Sequence, residues 1–70
     1  MPTKSSSISY NGKSITVTAS QSGSNDSARV TSIEIDGDPV AFDPGEIEPG
    51  DTLDDALENG TRTAMSMVDY

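Results

Sequence analysis

The sequence predicts a small α+β domain, an antiparallel sheet of two hairpins (ββββ) with one C-terminal helix packed on one face. Three observations predict it. Two turn pairs, Asn11-Gly12 and Asp36-Gly37, are flanked by alternating apolar residues. Asn-Gly and Asp-Gly supply the two positive-φ positions that close a tight type I′ hairpin. From Asp51 onward the apolar residues shift from alternation to helical spacing. Seventy residues make one domain of this kind.

Taken in order, residues 1–7 (MPTKSSS) are polar and read as a flexible tail, leaving 8–70 as the domain. Ile8-Ser9-Tyr10 and Lys13 to Ala19 are the arms of the first hairpin. Ile15, Val17 and Ala19 face one side, and Ser14, Thr16 and Thr18 the other. Residues 20–28 (SQSGSNDSA) are small and polar, the composition of a loop. Val30 to Ile35 is rich in β-branched residues, with Ile33 and Ile35 on one face and Glu34 and Asp36 on the other. Val40-Ala41-Phe42 is the expected return strand, and Pro39 marks it as short or at an edge. Residues 43–50 (DPGEIEPG) form a rigid connection from which Ile47 is expected to turn into the core.

The helix is expected over 51–70. Asp51 or Thr52 is the N-cap, Thr52 with Asp55 makes a capping-box-like pair, and the early acids suit the helix dipole. Leu53, Ala56, Leu57, Ala64, Met67 and Val68 fall in one stripe. Gly60 lies in the same stripe and costs about 1 kcal/mol relative to Ala. It reads as a close approach of helix to sheet; the alternative is a kink or stop at Asn59-Gly60. Met65 falls off the stripe, which fits a frayed helix end, and with Tyr70 it is a lesser contact candidate.

Composition excludes several functions. The chain has no His and no Cys, which removes thiol catalysis, histidine base chemistry, disulfides and Cys/His zinc sites. Its 4 basic residues are too few to hold nucleic acid directly. No apolar run approaches the ~20 residues of a membrane span, and Met1 to Ser7 lacks the apolar stretch of a signal peptide, so a cytoplasmic location is expected. Hydrophobic residues make up only 31%, so the core is thin, and the expectation is either a domain marginal on its own or one that buries extra surface by homodimerisation or partner binding. Asp36-Gly37-Asp38 opens with calcium-loop spacing, but Pro39 follows and no third ligand is in register, so no metal or other cofactor is expected.

Charge is unevenly placed. Residues 1–33 hold one acid, Asp26, against Lys4, Lys13 and Arg29, whereas residues 34–70 hold eleven acids against Arg62 alone. Glu34, Asp36, Asp38, Asp43, Glu46, Glu48, Asp51, Asp54, Asp55 and Glu58 run without one intervening base. A charge run often serves only solubility. The functional alternative is an acidic docking face on Glu34, Asp36, Asp38, Asp54, Asp55 and Glu58 that is steered to a basic groove.

The pattern IxYNGKxIxVxA, VxxIxIDGxPVxF and TLDDALENGxxxA resembles a broad group of very short bacterial and phage proteins. The helix start, Thr52-Leu53-Asp54-Asp55-Ala56-Leu57, is similar to the helix of HicB-type antitoxin domains, although their Gly-Cys-type segment and closing strand have no counterpart here. Size, acidity and layout resemble phage-encoded anti-CRISPR proteins, a resemblance that implies a DNA mimic blocking a nucleic-acid path. The expected function is therefore non-enzymatic: an acidic protein occupying a basic nucleic-acid-binding groove of a partner. The alternatives are a small homodimeric regulatory module or an antitoxin-type domain.

Overall fold

The computed structural model describes residues 2–23 and 25–69. Strands β1 (Thr3–Tyr10), β2 (Lys13–Ser20), β3 (Arg29–Ile35) and β4 (Asp38–Pro39) form one antiparallel sheet in the order β1-β2-β3-β4. A 3-10 turn at Pro44–Glu46 and helix α1 (Leu53–Asp69) follow, with the helix on one face of the sheet. The α+β layout expected from the sequence is the layout found.

Both hairpins close where the turn chemistry requires. Asn11 and Gly12 have φ of 51° and 79°, and Asp36 and Gly37 have φ of 54° and 84°. Tyr10↔Lys13 and Ile35↔Asp38 are the pairs flanking these two-residue turns. Positive φ at both central positions matches the right-handed twist of the arms.

The register of β2 with β3 shifts between Thr18 and Ala19, so that Thr18 faces Ser32 and Ala19 faces Val30. Thr31 is the extra residue of this bulge. The extra residue changes the phase of the strand. Val30 and Ile33 would otherwise lie on opposite faces; with the bulge, both turn toward the helix.

The buried core is Ile15, Val17, Ala19, Ala28, Ile33, Ile47, Ala56, Leu57 and Ala64. Four of these nine are alanine, so the helix must come very near the sheet to fill the space. Gly60 permits that approach. A Cβ there would lie 2.7 Å from Val17 Cγ1 and 2.7 Å from Val30 Cγ2. The helix runs through Asn59-Gly60 without a break. At its start the Asp55 N–H donates to Thr52 Oγ1 at 3.2 Å, which makes Thr52 the cap. Gly50 exchanges two backbone hydrogen bonds with Ala28, at 2.8 and 3.0 Å. A Cβ on Gly50 would fall 2.5 Å from the Ala56 nitrogen.

Four expectations are corrected. Residues 3–7 are not a tail: they pair with β2 from Thr3↔Ser20 to Ser7↔Thr16. Ser5 and Ser7 bring hydroxyls to Thr18 and Thr16 at 2.9 and 3.1 Å, a polar ladder that has no apolar alternation to announce it. The return strand is Asp38–Pro39, not Val40–Phe42; one further bond, from the Val40 N–H to the Ile33 carbonyl at 2.9 Å, ends the ladder. Ala28, expected in a polar loop, is fully buried and bridged to Gly50. Met65 is not part of a frayed end, because the helix continues to Asp69 and Met65 packs half-buried against the core. Tyr70 lies outside the described residues.

Candidate functional site

The two ends of the helix locate the acidic residues. Gly50 bridges Ala28 and touches Asp55 and Ala56, so the helix starts beside the first residues of β3. Tyr10 donates its phenol to the Asp69 carboxylate at 2.9 and 3.0 Å, and Asn11 Nδ2 donates to it at 3.1 Å. The helix therefore finishes beside the Asn11-Gly12 turn. Asp69 sits where the helix dipole disfavours an anion, and these donors offset that cost. The same contact raises the Tyr10 pKa: the hydrogen bond to Asp69 is the main cause, with partial burial and the carboxylate charge acting in the same direction.

Of the six carboxylates expected to form a docking face, the structure does not gather all on one surface. Asp36 is in the turn at the end of β3 where the helix finishes, and Asp38 follows it. Asp36 Oδ1 accepts from the Ser14 N–H at 2.9 Å, and Lys13 Nζ is 3.6 Å from its other oxygen. It therefore does not alternate with Glu34 along a strand. Asp54, Asp55 and Glu58 are at the opposite end of β3, about 20 Å away from its strand rise. Glu34 pairs with Thr16 and is exposed on the open, hydroxyl-rich face of the sheet. Nor is the acidic run wholly unpaired. Asp54 takes Lys4 at 2.6 Å and Glu58 takes Arg62 at 2.8 Å, both largely exposed, so each pair contributes less than about 1 kcal/mol.

A different set of carboxylates lies along one connection, where Arg62 borders Glu46 and Glu48 without an ion pair to either. The connection from β4 to α1 runs back along the helix, with Ile47 buried and the Glu48 carbonyl accepting from Asn59 Nδ2 at 3.0 Å. Its route carries Asp38, Asp43, Glu46, Glu48 and Asp51 from one end of the sheet to the other, where Asp55 follows. All six are exposed, and among the described residues none of them forms an ion pair. The signal for Asp43, Glu46, Glu48 and Asp51 was present in the sequence as the uninterrupted acidic run; what it lacked was the path of the connection.

The opposite flank differs in charge. Between β1 and α1 lies an open groove of about 480 Å³, with Ile8, Leu57 and Met65 among its lining. The charged groups there are Lys4, Asp54, Glu58 and Arg62, which are the two ion pairs just described. The flank is thus locally neutral on a chain of net charge −8.

No polar or charged side chain is buried among the described residues, and no group of three or more metal-ligating side chains is assembled among them. Among the described residues, no helix is long and apolar enough to cross a membrane. No protein-family model, curated protein or solved structure matches the chain.

Proposed function

We propose that the chain is a non-enzymatic interaction protein whose acidic flank occupies a basic, nucleic-acid-binding groove on another protein. The observation that carries this reading is the ribbon of six exposed carboxylates without ion pairs, Asp38, Asp43, Glu46, Glu48, Asp51 and Asp55. Six charges spread over about 20 Å of sheet length give about one per 3–4 Å. One strand of duplex DNA presents one phosphate per about 3.4 Å of axis. A groove lined with Lys and Arg that fits one strand would meet a similar charge density on this flank, and like-charged surfaces would be rejected. A DNA mimic of the anti-CRISPR type is the concrete form of such a protein. The site differs from the expected one in its members: Asp43, Glu46, Glu48 and Asp51 of the connection replace Glu34, Asp36, Asp54 and Glu58.

The test is displacement. A basic nucleic-acid-binding protein captured on the immobilised chain is loaded with fluorescent duplex, and anisotropy follows its release. The wild-type chain should release the duplex, with potency falling at least tenfold between 50 and 500 mM NaCl. The variant carrying Asp38→Asn, Asp43→Asn, Glu46→Gln, Glu48→Gln, Asp51→Asn and Asp55→Asn should fold and fail to compete. Equal potency of the two proteins would falsify the reading.

A further inference from the structure

The two edges of the sheet are unlike. At one edge β4 is only two residues long, and one of them is Pro39. Val40 N–H bonds to Ile33, so Pro39, one residue earlier, stands where a strand's N–H would point away from β3. Proline has no donor to offer there, and that edge is blunted. At the other edge β1 is the outermost strand, and from Lys4 to Tyr10 no further strand among the described residues pairs with its outer side. Gln21 N–H donates to the Pro2 carbonyl at 3.0 Å, and Tyr10↔Lys13 closes the hairpin, so even-numbered residues direct their backbone groups to β2. Ser5, Ser7 and Ser9 then direct theirs outward, and all three are exposed. Beside this edge, on the helix side, lies the groove with Ile8 and Met65 half-buried in it.

From this edge we infer that the chain forms a two-fold dimer in which β1 pairs antiparallel with β1 of a second copy. Charge selects this occupant. A chain of net charge −8 repels its own copies everywhere except where charge is locally balanced. The β1 flank is such a place: its four charged groups are joined in two ion pairs, and β1 itself contains Lys4 and no acid. A basic peptide would instead favour the carboxylate ribbon. Two-fold pairing about Ser6 or Ser7 sets the two Lys4 residues about 13–20 Å apart, beyond the Debye length of about 8 Å at physiological salt. It also continues a single eight-stranded sheet with the two β4 strands about 34 Å apart at its ends, so the acidic ribbons are held far from each other. The serines of β1 would extend the hydroxyl ladder that Ser5 and Ser7 already make with β2. Ile8 and Met65 of each copy would close the gap between the two helices.

The experiment is sedimentation equilibrium of the full chain from 5 to 500 μM, with hydrogen exchange read at the Ser5, Ser7 and Ser9 amides. The expected mass is twice the 7.3 kDa of one chain, with those three amides protected at high concentration only. Ser7→Pro removes an outward N–H and keeps every backbone bond between β1 and β2, losing only the exposed hydroxyl contact to Thr16, and should raise the dimer Kd at least tenfold with the circular dichroism unchanged. Met65→Glu places like charges across the groove and should do the same, so a folding defect in one variant leaves the other as the test. Salt separates this inference from the docking function: added NaCl should tighten the dimer and weaken groove binding. A monomer at 500 μM, an assembly larger than a dimer, or a dimer unchanged in both variants would overturn the inference.

Discussion

Gly60→Ala sets two measurable effects against each other. Helix propensity alone favours alanine by about 1 kcal/mol in a helix interior. The structure opposes this gain. The added Cβ would lie 2.7 Å from a methyl of Val17 and 2.7 Å from a methyl of Val30. Carbon atoms in good contact are about 3.5–4.0 Å apart, so each contact is short by about 0.8 Å or more. Val17 is fully buried and β-branched, so it has little rotamer freedom to yield, and the helix must lift instead. Overpacking of this kind costs about 1–3 kcal/mol. The net expectation is a loss of about 1 kcal/mol, or about 4–8 °C in the melting temperature of a domain of this size. Thermal and urea unfolding followed by circular dichroism measure it. The double variant with Val17→Ala should lose less than the sum of the two single changes, because the deleted methyls make room for the new one. A Gly60→Ala protein stabilised by the full propensity gain would show that helix and sheet do not meet as closely as described.

Other perturbations probe other joints. Gly50→Ala should cost more than Gly60→Ala, about 3 kcal/mol, because its Cβ meets the Ala56 nitrogen at 2.5 Å and backbone cannot give way; urea midpoints of the two variants compared side by side would check the order. Thr52→Ala should cost about 1 kcal/mol through loss of the bond from the Asp55 N–H, read from the same unfolding curves. Tyr10 has a pKa raised by Asp69, so its contribution to stability is complete below the ordinary tyrosine value of about 10 and is lost as pH rises through the higher folded value. Ultraviolet titration should show a late-ionising tyrosine that Asp69→Asn brings back toward 10; a titration identical in the two proteins would argue against the contact.

The elements legible in the sequence are those set by local chemistry. Asn11-Gly12 and Asp36-Gly37 announce their turns because positive φ is a property of those residues. The helix announces itself through its stripe, and Gly60 through its place in that stripe. Thr3–Ser7 gave no such signal. A run of serines has no alternation, and its strand exists because β2, folded back at Asn11-Gly12, offers Thr16 to Ser20 as partners. The bulge at Thr31 was equally silent, since only pairing with β2 reveals the extra residue. For the candidate site, the acidic run was visible, but its division was not. Consecutive acids of the run such as Asp51 and Asp54 separate once Lys4 claims the latter, and the turn acids stand a full strand length from the helix start.

The order of the elements has a consequence for synthesis. The apolar face made by Ile15, Val17, Ala19 and Ile33 is covered by a helix that follows all four strands in the chain. At translation rates of about 5–20 residues per second, the seventeen residues of α1 take about 1–3 s to be added. Until α1 is free to pack, nothing within the strands covers that apolar face, and Tyr10 and Asn11 wait for Asp69, their partner 58 to 59 positions later. The domain therefore completes itself only after α1 has cleared the ribosome.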